Sequence, residues 1–124
     1  MVILLIAPGK APEKREIDGE PKTMQNIVGG TIQAIYPFED TAALICNDDG
    51  KLLKLPPNRA LYDEDGSLCD IVAGTFFLCD APPDAESFAS LTGEQIDVYT
   101  KRFAAPEMFL RYGSQVLVLK EDAL

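Results

Sequence analysis

Asn58 and Arg59 follow Pro56-Pro57 and stand just ahead of an acidic run that begins Asp63-Glu64-Asp65. A guanidinium is a planar fork that holds a carboxylate or a phosphate through two parallel hydrogen bonds. The Asn58 amide beside it offers both a donor and an acceptor. The proline pair predicts a loop here, so two uses are open. The fork grips an anionic group of a ligand, or it bridges internally to Asp63 or Asp65 while Asn58 braces the turn. An arginine set in a loop beside acids ordinarily takes a local partner, which favours the bridge. Asn58, Arg59, Asp63 and Asp65 are the binding candidates, and no residue stands out as catalytic.

Other chemistries are excluded or weak. The chain contains no His, which removes the Ser-His-Asp triad, the Cys-His dyad and His-containing zinc sites. Cys46, Cys69 and Cys79 sit in apolar surroundings with no CxxC pair, and small buried thiols are expected. Asn47-Asp48-Asp49-Gly50 and Asp63-Glu64-Asp65-Gly66 have the oxygen-rich look of calcium loops. Neither continues to the bidentate Glu that such a loop needs at its twelfth position, and both have the composition of tight turns. No glycine-rich phosphate loop opens a helix. Neither a metal nor a cofactor is expected.

Charge narrows the partners. Eleven Lys and Arg against twenty Asp and Glu leave a net charge of −9. From Ala60 to Thr100 there are nine acids and no base. Such a field repels phosphate backbones, so direct binding of nucleic acid is not expected. It suits a protein partner with a basic surface. Carboxylates laid out at the spacing of duplex phosphates would instead imitate DNA. The N-terminal apolar run, Val2 to Ile6, has no basic region before it and ends at Pro8. It therefore reads as a strand rather than a leader, and with no membrane span in the chain, a cytoplasmic protein is expected.

The elements that must carry these residues follow from hydrophobic period. Val2–Ile6 is a central strand and 15–18 a short one. Pro21 opens a short helix with Met24, Ile27 and Val28 on one face, ended by Gly29-Gly30. Residues 31–38 alternate as a half-buried strand, and 42–46 form an apolar strand. Asn47–Gly50 predicts a hairpin turn that returns through 51–55. Residues 71–79 form one strong strand, with Gly74 marking a bulge or a close backbone approach. Thr92 and Gln95 make a capping box, with Leu91 and Ile96 as its hydrophobic staple. Pro106 ends that helix or opens a turn holding Met108, Phe109 and Tyr112, and 116–119 is a last strand. The pattern predicts one α+β domain over residues 1–124, with a mixed or mostly antiparallel sheet, an early short helix and a C-terminal helix. Phe76 or Phe77, whichever faces inward, anchors its core.

Seven segments occur together in order: Ile17-Asp18-Gly19, Gln25-Asn26-Ile27-Val28-Gly29-Gly30, Ile32-Gln33-Ala34-Ile35-Tyr36-Pro37-Phe38, Ala43-Leu44-Ile45-Cys46-Asn47, Pro57-Asn58-Arg59-Ala60-Leu61, Asp70-Ile71-Val72-Ala73-Gly74-Thr75-Phe76-Phe77 and Leu91-Thr92-Gly93-Glu94-Gln95-Ile96. In combination they resemble the DUF3846 family, small bacterial and phage proteins of unknown function. The resemblance covers roughly residues 1–110, leaving about 111–124 as an extension. It implies a stand-alone cytoplasmic module, often carried on phage or mobile elements, and it supplies no activity or catalytic residue. The leading expectation is a non-catalytic accessory module that binds a protein. An antirestriction-like acidic DNA mimic is the first alternative, since family members are sometimes encoded near antirestriction genes. The second is a small-molecule binder or enzyme using the Asn58-Arg59 loop.

Overall fold

The computed structural model describes residues 1–120. Nine strands and two helices run in the order β1 (Val2–Ile6), β2 (Glu13–Glu16), α1 (Pro21–Val28), β3 (Ile32–Ile35), β4 (Ala42–Asn47), β5 (Pro57–Tyr62), β6 (Leu68–Ala73), β7 (Phe76–Asp80), α2 (Gly93–Arg102), β8 (Glu107–Tyr112) and β9 (Gln115–Lys120). Five strands form a sheet in the order β2-β1-β7-β4-β3, every neighbouring pair antiparallel. β5–β6 and β8–β9 are separate two-stranded ribbons. The fold is α+β, as the period of the sequence predicts.

β4 and β7 are buried at every position. In a strand, alternate side chains point to opposite faces, so continuous burial means that both faces of the sheet are covered. On one face Ile3, Ala43, Ile45, Phe77 and Cys79 pack against Met24 and Val28 of α1. On the other, Leu4, Ile6, Leu44, Phe76 and Leu78 pack against Leu61 and Val72 of the β5–β6 ribbon and against Leu91, Tyr99 and Phe103. Both Phe76 and Phe77 are therefore inside, one in each layer. Among the described residues no helix is long and apolar enough to cross a membrane.

The helix ends follow their residues. Gly29 closes α1 in the left-handed conformation (φ 80°), and its N–H donates to the Gln25 carbonyl. At α2 the Thr92 hydroxyl accepts from Gln95 N at 3.1 Å, and the Gln95 amide oxygen accepts from Thr92 N at 2.9 Å. The capping box is complete.

Several local expectations are corrected. Residues 51–55 do not return as a strand; they form turns in which Leu53 N donates to Asp49 O and Leu55 N to Gly50 O. The Asn47 side chain explains the change. It accepts from Asp49 N and donates to Val28 O, tying the turn to the end of α1 rather than shaping a hairpin. Residues 71–79 are not one strand. They are the ends of two strands in different sheets, broken at Gly74 with φ +82°. A Cβ on Gly74 would stand 2.8 Å from Leu55 Cδ1, so the close approach is real and the bulge is a corner. The 31–38 strand is shorter, Ile32–Ile35. α2 already ends at Arg102, and Pro106 opens no turn but leads into β8, so Met108, Phe109 and Tyr112 are strand residues. Asn58 and Arg59 are not in a loop: the second proline of the pair begins β5, and both residues lie on that strand.

Candidate functional site

Asn58 is fully buried and Arg59 is 1% exposed. Asn58 Nδ2 donates to the Ile6 and Gly74 carbonyls, both at 2.8 Å, pinning β1 to the Gly74 corner. Arg59 Nη1 donates to Asn58 O and Oδ1. Its Nε and Nη2 donate to the Phe103 carbonyl, and Nη2 also reaches Lys10 O at 2.6 Å. Phe103 is the C-cap of α2, where exposed carbonyls and the helix dipole favour a cation. The pair is thus an internal clamp joining β1, the Gly74 corner and the end of α2. Among the described residues the fork meets carbonyl and amide oxygens rather than Asp63 or Asp65, so the expected local bridge is corrected. The Asp63 carboxylate instead accepts from Asp65 N and Ser67 N and closes the β5–β6 turn.

Asp63 lines something else. A groove of about 680 Å³ runs between Tyr36–Asp40, the start of the β5–β6 turn and α2. Its floor is Phe38, Leu61 and Tyr99, and its rim carries Glu39, Asp40, Asp63 and Glu64. Tyr36 is 62% exposed and Val98 51%, and both open onto it. Asp65 lies just past the lining, in the turn. Among the described residues the ion pairs are Arg15–Glu13 and Lys51–Asp70, so no side-chain pair neutralises any of the four rim acids. Among the described residues Arg102 is the base on the wall, and its guanidinium stands 5.0 Å from the Phe38 ring centroid and 5.6 Å from that of Phe103.

The wall is built rigidly. The Phe38 and Tyr99 rings are 4.5 Å apart between centroids. Burial, and then the neighbouring Asp40 carboxylate, push the Tyr99 hydroxyl well above the ordinary phenol range. Gln95, held by the capping box, donates across to Asp80 at 3.2 Å and Asp40 at 3.5 Å. Asp80 also accepts from the Thr41 hydroxyl. Thr92→Ala therefore removes a cap and frees the side chain that joins α2 to the rim. A loss of ~1 kcal/mol in denaturant unfolding is expected.

A second hollow, of about 780 Å³, lies beside α1, where Asp18, Glu86 and Ser87 supply polar lining. Asp18 is already engaged there, accepting from Glu20 N and the Thr23 hydroxyl. Those bonds hold its carboxyl below the usual range. Among the described residues no group of His, Cys, Asp and Glu is arranged to hold a metal.

The thiols divide. Cys46 and Cys79 are buried, whereas Cys69 is exposed and lines the acidic groove; for Cys69 the expectation of burial is corrected. It lies at the start of β6, where Leu68, Cys69 and Asp70 are all exposed. Burial, with a smaller contribution from Asp80, pushes Cys79 up from 9.0 to about 12. The unfolded chain then ionises this thiol at lower pH than the folded one does. Stability is intact below pH 9 and falls as pH rises from there towards 12. Unfolding curves of the protein and of Cys79→Ala at stepped pH should diverge across that window, the variant declining less steeply.

Tyr36, Phe38, Tyr99 and Arg102 were not among the sequence candidates. Their signal was present in Tyr36-Pro37-Phe38-Glu39-Asp40, where two aromatics and two acids flank a proline. It lacked the partner face on α2, which only the fold brings near.

Among the comparisons with known proteins, a family model described as "Domain of unknown function (DUF3846)" matches residues 1–104. No curated protein and no solved structure matches the chain. The matched residues hold the five-stranded sheet, the β5–β6 ribbon and both helices, and so every residue of the groove. The chain belongs to the DUF3846 family, with its β8–β9 ribbon beyond the matched part.

Proposed function

We propose that the chain is a non-catalytic binding module whose acidic, aromatic groove takes a basic segment of a protein partner. The observation that carries this reading is Arg102. Its guanidinium sits over the groove's own aromatic wall, inside a rim of four acids that have no side-chain ion pair among the described residues. A cation over an aromatic face gains ~0.5–2 kcal/mol, more as water is excluded. Exposed carboxylates add long-range attraction that speeds encounter and weakens in salt. Exposed Tyr36 and Val98 give the non-polar part of the segment a surface to cover.

The DNA-mimic reading shares the negative field but has less on its side. The rim acids surround a concave, aromatic-floored hollow, whereas a mimic needs carboxylates ranged along an extended face. An enzyme built on Asn58-Arg59 has none, given their burial.

An arginine-rich decapeptide is the probe, and protection of the Cys69 thiol from alkylation is the local readout. The peptide should slow Cys69 labelling. Glu39→Gln with Glu64→Gln should weaken binding by ~10-fold or more, whereas Glu13→Gln with Glu16→Gln on β2, an equal change of net charge, should weaken it by ~2-fold or less. Equal losses from the two double variants would mean that the peptide senses only the overall charge, and the groove would be discarded as the site.

A further inference from the structure

We infer that the β8–β9 ribbon is a self-association surface, whose partner is a second copy of this chain. In the ribbon Met108 pairs with Leu119 and Leu110 with Leu117, so these four side chains share one face, next to Tyr112. They are 44–48% exposed, and Tyr112 74%. The opposite face carries half-buried Phe109 and Val118 and turns towards Leu55, Pro57 and Ile71, with which Phe109 and Val116 line a hollow. The inner face is thus already used by the domain, and the outer, apolar one is exposed among the described residues.

A two-stranded ribbon is marginal in water unless a further layer covers it. The edge of β9 sharpens the point. β2, one of the two outer strands of the main sheet, reads Glu13-Lys14-Arg15-Glu16 and is exposed throughout, a charged edge of the kind that discourages pairing with another chain. β9 reads Gln115-Val116-Leu117-Val118-Leu119-Lys120, with no charge before its last residue and no proline. The charged edge at β2 is thus protected, whereas the edge at β9 carries no such charge.

The missing charge also indicates the occupant. The chain carries −9, yet Met108, Leu110, Tyr112, Gln115, Leu117 and Leu119 carry none. Two copies meet here without opposing like charges, and the face is complementary to itself under a two-fold axis. The exposed parts of its five apolar side chains come to roughly 500 Å² per copy, so a face-to-face pair removes on the order of 1,000 Å², the lower bound for a specific interface. That area fits a weak, reversible dimer. This face shares no residue with the lining of the proposed peptide groove.

Sedimentation of the full chain from ~1 to ~200 µM should show a monomer passing to a dimer by mass action. Leu117→Glu should shift the midpoint at least ~10-fold higher in concentration, with the thermal transition of the domain kept. Where that variant disturbs the ribbon itself, amide exchange of the unaltered protein decides. Exchange across β9 should slow as concentration rises, while exchange across β2 stays constant. A chain monomeric throughout the range overturns the inference. So does a dimer that survives Leu117→Glu, or one that leaves β9 exchange unchanged.

Discussion

Phe77→Ala should lower the stability of the fold by ~3–5 kcal/mol, a large share of the ~5–15 kcal/mol available to a domain of this size. Phe77 is fully buried near the start of β7, the central strand of five, paired with Leu5 on one neighbour and Ile45 on the other. Its ring belongs to the layer that seats α1. That helix has eight residues, too few to persist without docking. The substitution therefore opens a cavity and loosens the element above it. Phe76→Ala should cost a similar amount on the other face, where the Phe76 ring meets Phe103 edge-on at 5.9 Å. Urea unfolding of each variant measures both. A loss below ~1 kcal/mol at both positions would mean that the sheet is not the core.

What could be read from the sequence divides by the range of the interaction. Capping is local, so Thr92 and Gln95 announce α2, and Gly29 announces the end of α1. Burial period is nearly as local, and the unbroken apolar runs 42–46 and 76–79 are the two strands enclosed on both faces. The errors fall where a distant partner decides. Asn47–Gly50 has turn chemistry in either case, and only the hydrogen bond from Asn47 to Val28 O turns the following residues away from a hairpin. Residues 71–79 are apolar enough for one strand, yet the corner at Gly74 exists because Leu55 and the Asn58 amide converge on it from other elements. A strand break of that kind carries no composition signal beyond the glycine itself.

The candidate site shows the same division. Asp63, marked from the sequence as a binding candidate beside Arg59, lines the groove instead, and the fold adds its neighbours: the aromatics come from 36–38 and from α2, dozens of residues away on either side. Arg59 was singled out for its chemistry, and its chemistry is what the fold uses. The planar fork satisfies several oxygens at once in the interior. A polar residue after a proline pair looks exposed because Pro-Pro ordinarily marks a loop; here Pro57 occupies the first position of a strand, one of the places that tolerate it.

Arg59→Ala should therefore cost stability, not binding, with a loss of ~3–5 kcal/mol, since it empties a buried volume and strips the donors from the Phe103 and Lys10 carbonyls. Arg59→Lys is the more discriminating change. It keeps the positive charge but replaces a fork that reaches Asn58, Phe103 and Lys10 together with a single ammonium. Some acceptors stay unmet, and a loss of ~2–3 kcal/mol is expected, with affinity for the decapeptide within ~2-fold of the parent under conditions where the variant is folded. The end of α2 should report the same change, its amides around Phe103 exchanging faster than those near the Thr92 cap. Were Arg59→Lys as stable as the parent and yet deficient in ligand binding, the clamp would be the wrong account of this residue. Arg59 would then belong to a binding site that opens by a motion of α2.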